Sequence, residues 1–302
     1  MIIINDGSKD NTGEMAEQFS KNRDNIIVHH NIVNLNLGRA LQTGFALARG
    51  QYVVVMDIDL TYSEDHIHQL LGKIIETDAD CVLASPYMKG GKSTAVPFFR
   101  LLLSKVVNRM MRIMSPIKVH TFTGMVRIYK AEFLKKLNLK STTYSINPEI
   151  IYKGAILRAR IEEIPAHLDW SDQKQTSRSS SIRIFRGIMA GLMSGFIFRP
   201  YFFFMGIGLF LFIVASYIIV WIFIHTFTVL PEIATANIDF ETRFGMAVAQ
   251  VFTERPYSFL VGGVSLIISF QFLGIGFLSL QSKRYFEELY HFHTRMLEEN
   301  RH

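Results

Sequence analysis

Two aspartates, Asp57 and Asp59, close the apolar run QYVVVM. Carboxylates are the hard oxygen ligands that Mg²⁺ and Mn²⁺ select. Open α/β sheets present ligands just beyond the carboxyl ends of their strands. The pair is therefore a candidate holder of a divalent metal and of a diphosphate that travels with it. A second triplet, Asp78-Ala79-Asp80, has the same spacing but precedes an apolar run instead of ending one, so position favours the first. A further carboxylate, Asp6, ends IIIND and is followed by Gly7, Ser8, Asp10 and Thr12. That pattern suits a site for a ribose or base edge, and equally an Asp-Gly turn with a helix cap. In NLNLGRALQTGFALARG, Gly38 and Gly44 permit either close packing of a helix or close approach to a ligand.

These groups need an α/β scaffold, and the pattern supplies one. Short β-branched runs at residues 1–4, 26–29, 52–56, 81–84, 126–129 and 157–164 predict strands. Amphipathic segments at 11–21, 37–49 and 64–77 predict helices, with two more near Ala131 and Pro148. Asn11 or Thr12 is the expected cap of the first helix and Ser63 that of the third. Residues 171–181, SDQKQTSRSSS, read as a polar loop.

The rest of the chain is apolar in two blocks. Residues 200–231 contain no Asp, Glu, Lys or Arg, and residues 257–280 are likewise uncharged. Each is long enough to cross a bilayer as a helix. Arg178, Arg183, Arg186 and Arg199 precede the pair, and Lys283, Arg284 and Arg295 follow it. Between them Arg243 and Arg255 sit among Glu232, Asp239, Glu241 and Glu254. Basic flanks are retained on the cytoplasmic side, so both ends are expected in the cytosol. Two basic amphipathic stretches, residues 95–114 and 182–198, suit helices lying on a bilayer. The net charge of +6 is concentrated at the membrane flanks, which points to anionic headgroups and away from nucleic acid. A single cysteine, Cys81, excludes a disulfide framework.

In order and spacing, INDGSKDNT, NLNLGRALQTGFALARG, DIDL, RLLLSKVVNRM, TFTGMVRIYKAEFL and NPEIIYKGAILRARIEEIPAHLDW resemble family 2 glycosyltransferases of the GT-A type. The likeness is strongest to the polyprenyl-phosphate branch typified by dolichol-phosphate mannosyltransferase. It implies an α/β, GT-A Rossmann-like nucleotide-sugar domain followed by two C-terminal transmembrane helices. The implied layout is a cytosolic catalytic domain over 1–181 and a juxtamembrane amphipathic helix over 182–199. A transmembrane hairpin over 200–281 follows, with an extracytosolic loop at 225–256, and then a cytosolic tail over 282–302. Family members carry a further strand with a Pro-x-Tyr-Asn-Glu-like segment ahead of the position of INDGS, so a start upstream of Met1 is expected.

The implied activity is metal-dependent, inverting transfer of a sugar from a nucleoside diphosphate to an undecaprenyl or dolichyl phosphate. It would take place at the cytosolic leaflet of the inner or plasma membrane, with Mg²⁺ or Mn²⁺ and possible homo-oligomers. Asp57 and Asp59 would hold the metal, with Asp57 also on the nucleotide-sugar, and Asp6, Gly38 and Arg178 would complete the donor site. Arg100, Ser104, Asn108 and Arg127 would receive the acceptor phosphate, Arg127 as a catalytic group. Glu149 matches the family's helix acid. SRSSS lacks the Gly and Lys that usually follow the Arg178 position, and VHTFTGM has no Asp before Thr-Gly, so the sugar is not carried over. Another lipid or polysaccharide acceptor, or an inactive scaffold, are the alternative readings. Neither Trp170 nor Trp221 follows an Arg, unlike the Gln-x-x-Arg-Trp of processive synthases.

Overall fold

The computed structural model describes residues 1–59, 61–171, 199–233 and 238–299. The chain divides into two units, Met1–Phe198 with Glu287–His302, and Arg199–Phe286.

The first unit is α/β, as the alternating pattern implied. In chain order it contains β1 (Ile2–Asp6), α1 (Thr12–Ser20), β2 (Ile27–Asn31), α2 (Leu37–Leu47), β3 (Tyr52–Val55), α3 (Asp65–Thr77) and β4 (Cys81–Ser85). There follow β5 (Lys92–Thr94), α4 (Phe98–Met114), β6 (Arg127–Lys130), α5 (Ala131–Lys136), α6 (Ile146–Ile156), β7 (Ile161–Pro165) and β8 (His167–Asp169). A four-stranded sheet has the order β3-β6-β4-β7, with β6 antiparallel to both neighbours and β7 parallel to β4. β1 pairs in parallel with β2, and β5 with β8.

Period-two alternation divides the core between the two faces of the large sheet. Cys81, Leu83 and Tyr129 pack with Val107 and Met111 of α4, Phe133 of α5, and Ile150 and Ile151 of α6. Val82, Ala84 and Ile128 pack with Leu70 and Ile74 of α3. Each fully buried aliphatic side chain contributes about 1.5–3 kcal/mol, and β4, buried along its whole length, is the centre of this core. β1 and β3 are only half-buried, and each forms an edge of its own sheet among the described residues. The link between these sheets runs through α2. Phe45 meets Tyr129 edge to face at 5.7 Å, and the Gly38 N–H donates to the Thr142 carbonyl at 2.9 Å.

Local chemistry sets the helix ends. Ser63, one residue before the Glu64 N-cap of α3, accepts the Asp65 N–H on its Oγ at 3.2 Å, and the helix ends at Asp78 in the left-handed region (φ 52°). At α1 Asn11 holds the N-cap position without a side-chain cap bond, and Asp10 one residue earlier accepts both the N–H and the hydroxyl of Thr12.

The second unit holds α7 (Pro200–Val229), α8 (Phe240–Glu254) and the first part of α9 (Pro256–Glu299). Proline opens α7 at a position where its missing N–H costs nothing. In α7 and α9 the most apolar window is only 17% buried, which separates them from core helices of a soluble domain. They run antiparallel along a tight seam. A Cβ on Gly208 would meet Leu273 Cγ at 2.9 Å, and one on Gly276 would meet Met205 Cγ at 2.6 Å. Small residues at such seams let backbones approach closely. The helix α8, between the spans, and the unbroken run of α9 to Glu299 were not predicted. The loop at 171–181, apart from Ser171, and the amphipathic stretch at 182–198 lie outside the described residues.

Candidate active site

Asp57 and Asp59 follow β3 just after Met56, where the chain leaves the strand and turns at Ile58 and Asp59. Asp57 is half-buried, while Ile58 is turned to solvent at 86% exposure. Burial first, and the neighbouring Asp59 charge second, push the Asp57 carboxyl up to about 6. One oxygen of Asp59 accepts the Thr61 N–H at 3.1 Å and the Thr61 hydroxyl at 2.9 Å, which folds the chain back after the pair. Among the described residues no group of three or more His, Cys, Asp or Glu could hold a metal. Two carboxylates completed by substrate phosphate oxygens are, however, a usual Mg²⁺ arrangement.

The rest of the neighbourhood is cationic and aromatic. The Arg100 guanidinium lies over the Trp170 ring, 4.0 Å from its centroid. It feels the charges of Tyr144, Tyr87 and Asp59, and burial holds it below the usual arginine range. Tyr87 donates its hydroxyl to Ser104 Oγ at 2.7 Å. Tyr62 is buried and senses Tyr87, Asp57, Arg127 and Asp59 in turn. Asp57, Asp59, Arg100 and Ser104 are thus gathered at one end of the large sheet. Tyr87 and Trp170 complete the group and were not predicted. Trp170, alone in a polar segment, was the legible signal.

Two expected phosphate contacts occupy different places. Arg127 is 1% exposed, and its guanidinium donates to the carbonyls of Gly124 (2.7 Å), Asn147 (3.2 Å) and Phe122 (2.6 Å). Asn108 is also buried. Its amide nitrogen donates to the Ser104 carbonyl and Thr123 Oγ1, while its oxygen accepts the Phe122 and Thr123 N–H groups. Both hold the 122–124 loop, because that buried backbone needs partners that no strand supplies. Glu163 completes the fastening by accepting the His120 and Thr121 N–H groups and pairing with the His120 ring at 2.8 Å.

On the β1 side, one oxygen of Asp6 accepts the Asn31 amide at 2.7 Å and the Leu35 N–H at 2.9 Å. Gly7 sits at φ +68°, and a Cβ there would meet the Asn34 nitrogen at 2.6 Å, so the turn requires glycine. Gly38 is a packing glycine. A Cβ would lie 2.5 Å from the Thr142 carbonyl carbon and closer still to the Ser141 oxygen, which leaves no room for a ligand on that side. Glu149 is buried and accepts the Lys140 and Ser141 N–H groups and the Lys153 ammonium. Burial alone would raise its carboxyl, but these bonds outweigh it and hold it below the usual range. Arg178 lies outside the described residues.

The site thus combines two carboxylates just beyond a strand end with a guanidinium held on an indole, in an α/β domain. Residues 1–137 match the model for glycosyl transferase family 2. The chain is 32% identical over 172 residues to a polyprenol monophosphomannose synthase of Mycolicibacterium smegmatis, across 55% of this chain and 64% of that protein. It is 29% identical over 171 residues to an undecaprenyl-phosphate mannosyltransferase of Micrococcus luteus, across 55% and 70%. The first of these matches thus spans less than two thirds of its relative. Among solved structures, glucosyl-3-phosphoglycerate synthase of Mycobacterium tuberculosis gives a partial likeness, with a TM-score of 0.46 and 16% identity over 64% of this chain and 67% of that one.

Proposed function

We propose that the chain is a membrane-anchored glycosyltransferase that moves a sugar from a nucleoside diphosphate to a polyprenyl phosphate at the cytosolic leaflet. The observation that carries this reading is the pairing of Asp57 with Asp59, whose charge also reaches Arg100, at one end of a sheet in a chain that also has two bilayer-length helices. The relatives with polyprenyl-phosphate acceptors support the acceptor class. The basic residues flanking the helix pair support the cytosolic orientation.

Two hard carboxylates, of which Asp57 is raised first by burial and then by the Asp59 charge, fit Mg²⁺ or Mn²⁺, which when bound would offset charge on the departing diphosphate. Asp6, at the end of β1, faces the nucleoside. Arg100, held by Trp170, pairs with the acceptor phosphate, and Ser104 adds a hydroxyl. Arg127, Asn108 and Glu163 contribute by fixing the 120–124 loop, so positioning supplies much of the rate. The phosphate oxygen is already anionic and attacks the anomeric carbon without a base. The bond from that carbon to the diphosphate breaks on the opposite face and the configuration inverts.

Membranes containing the chain, given a panel of nucleotide-sugars and undecaprenyl phosphate, should yield a glycosylated lipid phosphate by mass spectrometry. EDTA and Asp59→Asn should each abolish it. Absence of product with every donor, or product unaffected by Asp59→Asn, would refute the proposal.

A further inference from the structure

The last turns of α9 belong to the catalytic unit, which contains Glu287–His302. Along this stretch Glu287, Tyr290 and Thr294, spaced at three and four residues, are half-buried, while Glu288, Leu289 and Phe292 are exposed. One face of the tail helix is therefore covered.

At its centre the Tyr290 ring lies 5.6 Å from the Lys153 ammonium. Lys153 is buried, pairs with Glu149 at 2.5 Å and donates to the Asn138 carbonyl. Glu149 in turn fixes the Lys140 and Ser141 N–H groups. The carbonyls of that segment hold α2, because Ser141 accepts the Gln42 amide at 2.9 Å and Thr142 accepts the Gly38 N–H at 2.9 Å. α2 packs on β1, which ends in Asp6. An unbroken series of contacts leads from the tail to the donor half of the domain. At its hinge is a buried ion pair of the kind that loses strength when water enters.

We infer that the end of α9 is a positioning element for the donor site. Tyr290 seals the Lys153–Glu149 pair and thereby fixes residues 138–142 against the first turn of α2. The link to donor binding rests on the activity proposed above, whereas the fastening of 138–142 does not.

The test uses the full chain in lipid nanodiscs and compares Tyr290→Ala, Tyr290→Phe and Leu289→Ala. Hydrogen exchange at residues 138–142 and 37–41 should quicken about tenfold in Tyr290→Ala, the scale set by losing a desolvated cation–π contact. It should stay at the wild-type rate in Leu289→Ala, which alters an exposed side chain, and quicken less in Tyr290→Phe than in Tyr290→Ala, because the ring is kept while the hydroxyl beside the Asn138 backbone is lost. KM for the nucleotide-sugar should rise about threefold to tenfold in Tyr290→Ala, with kcat and acceptor KM little changed. Exchange that quickens only within the tail, or not at all, would overturn the inference, as would a donor KM that stays fixed while 138–142 loosens. If the wild type turns over no donor, the proposed activity fails, and the exchange pattern by itself still decides whether Tyr290 fastens 138–142.

Discussion

Asp57 is the group whose ionisation the fold resists and the proposed chemistry needs. Its carboxyl stands at about 6 against an ordinary 3.8, chiefly through burial and then through Asp59. That gap corresponds to about 3 kcal/mol, and because the side chain is only half-buried, solvent screening reduces it to roughly 1–2 kcal/mol. With the folded value above the unfolded one, the protonated form favours folding. The penalty is therefore absent below pH 3.8, grows between 3.8 and about 6, and is complete above 6. Asp57→Asn, neutral at every pH, should melt roughly 3–6 °C above the metal-free wild type at pH 8. The difference should shrink towards zero as the pH falls to 3.8. Differential scanning fluorimetry on detergent-purified, EDTA-treated protein measures this directly. Added Mn²⁺ should raise the wild-type transition at pH 8, less at pH 5 where a proton competes for the ligand, and not at all in the variant. A variant that melts at or below wild type at pH 8, or a difference that ignores pH, would refute the reasoning.

Three further outcomes follow from the packing. Gly38→Ala should cost about 1–3 kcal/mol, read as a lower melting temperature, because its Cβ meets the backbone of Ser141 and Thr142. Gly72→Ala, with nothing within 4 Å, should instead stabilise α3 by about 0.5–1 kcal/mol. Arg127→Met strands three buried carbonyls and should cost about 3 kcal/mol or more, abolishing transfer, and Arg127→Lys should not rescue it because an ammonium cannot span the three acceptors. Trp170→Ala frees Arg100 and should raise the acceptor KM about threefold to tenfold while the donor KM holds, with Trp170→Phe retaining part of the effect.

Much of this architecture was legible because burial writes itself into composition. The run before Asp57 could only be a strand, and the two uncharged blocks could only be long apolar helices. The second Asp-x-Asp triplet, set aside on position, has structural partners. Asp78 ends α3 and pairs with Lys130 at 2.6 Å, and Asp80 accepts the Arg160 N–H at 2.8 Å, so both serve the turn into β4. The three-residue strands β5 and β8 were too short to show a period, and α8, with charges among its apolar residues, read as a loop.

The site divides along a line the sequence could not draw. Arg100 and Arg127 are the same residue type in segments that both match the family pattern, yet one guanidinium stacks on an indole within reach of Asp59 and the other is enclosed by carbonyls. What separates them is where unpaired backbone accumulates. The 120–124 loop and residues 138–142 carry N–H and C=O groups into the interior without a strand or helix to receive them, and a buried unpaired group costs about 1–3 kcal/mol. Asn108, Arg127, Glu149 and Glu163 meet that demand, so side chains that look like ligand contacts from their type act as scaffolding for those proposed to touch substrate. The polar groups proposed for chemistry are those that do not hold these two buried segments. By that criterion the proposed reaction depends on Asp57, Asp59 and Arg100 directly, and on the buried four through the shape of the walls around them.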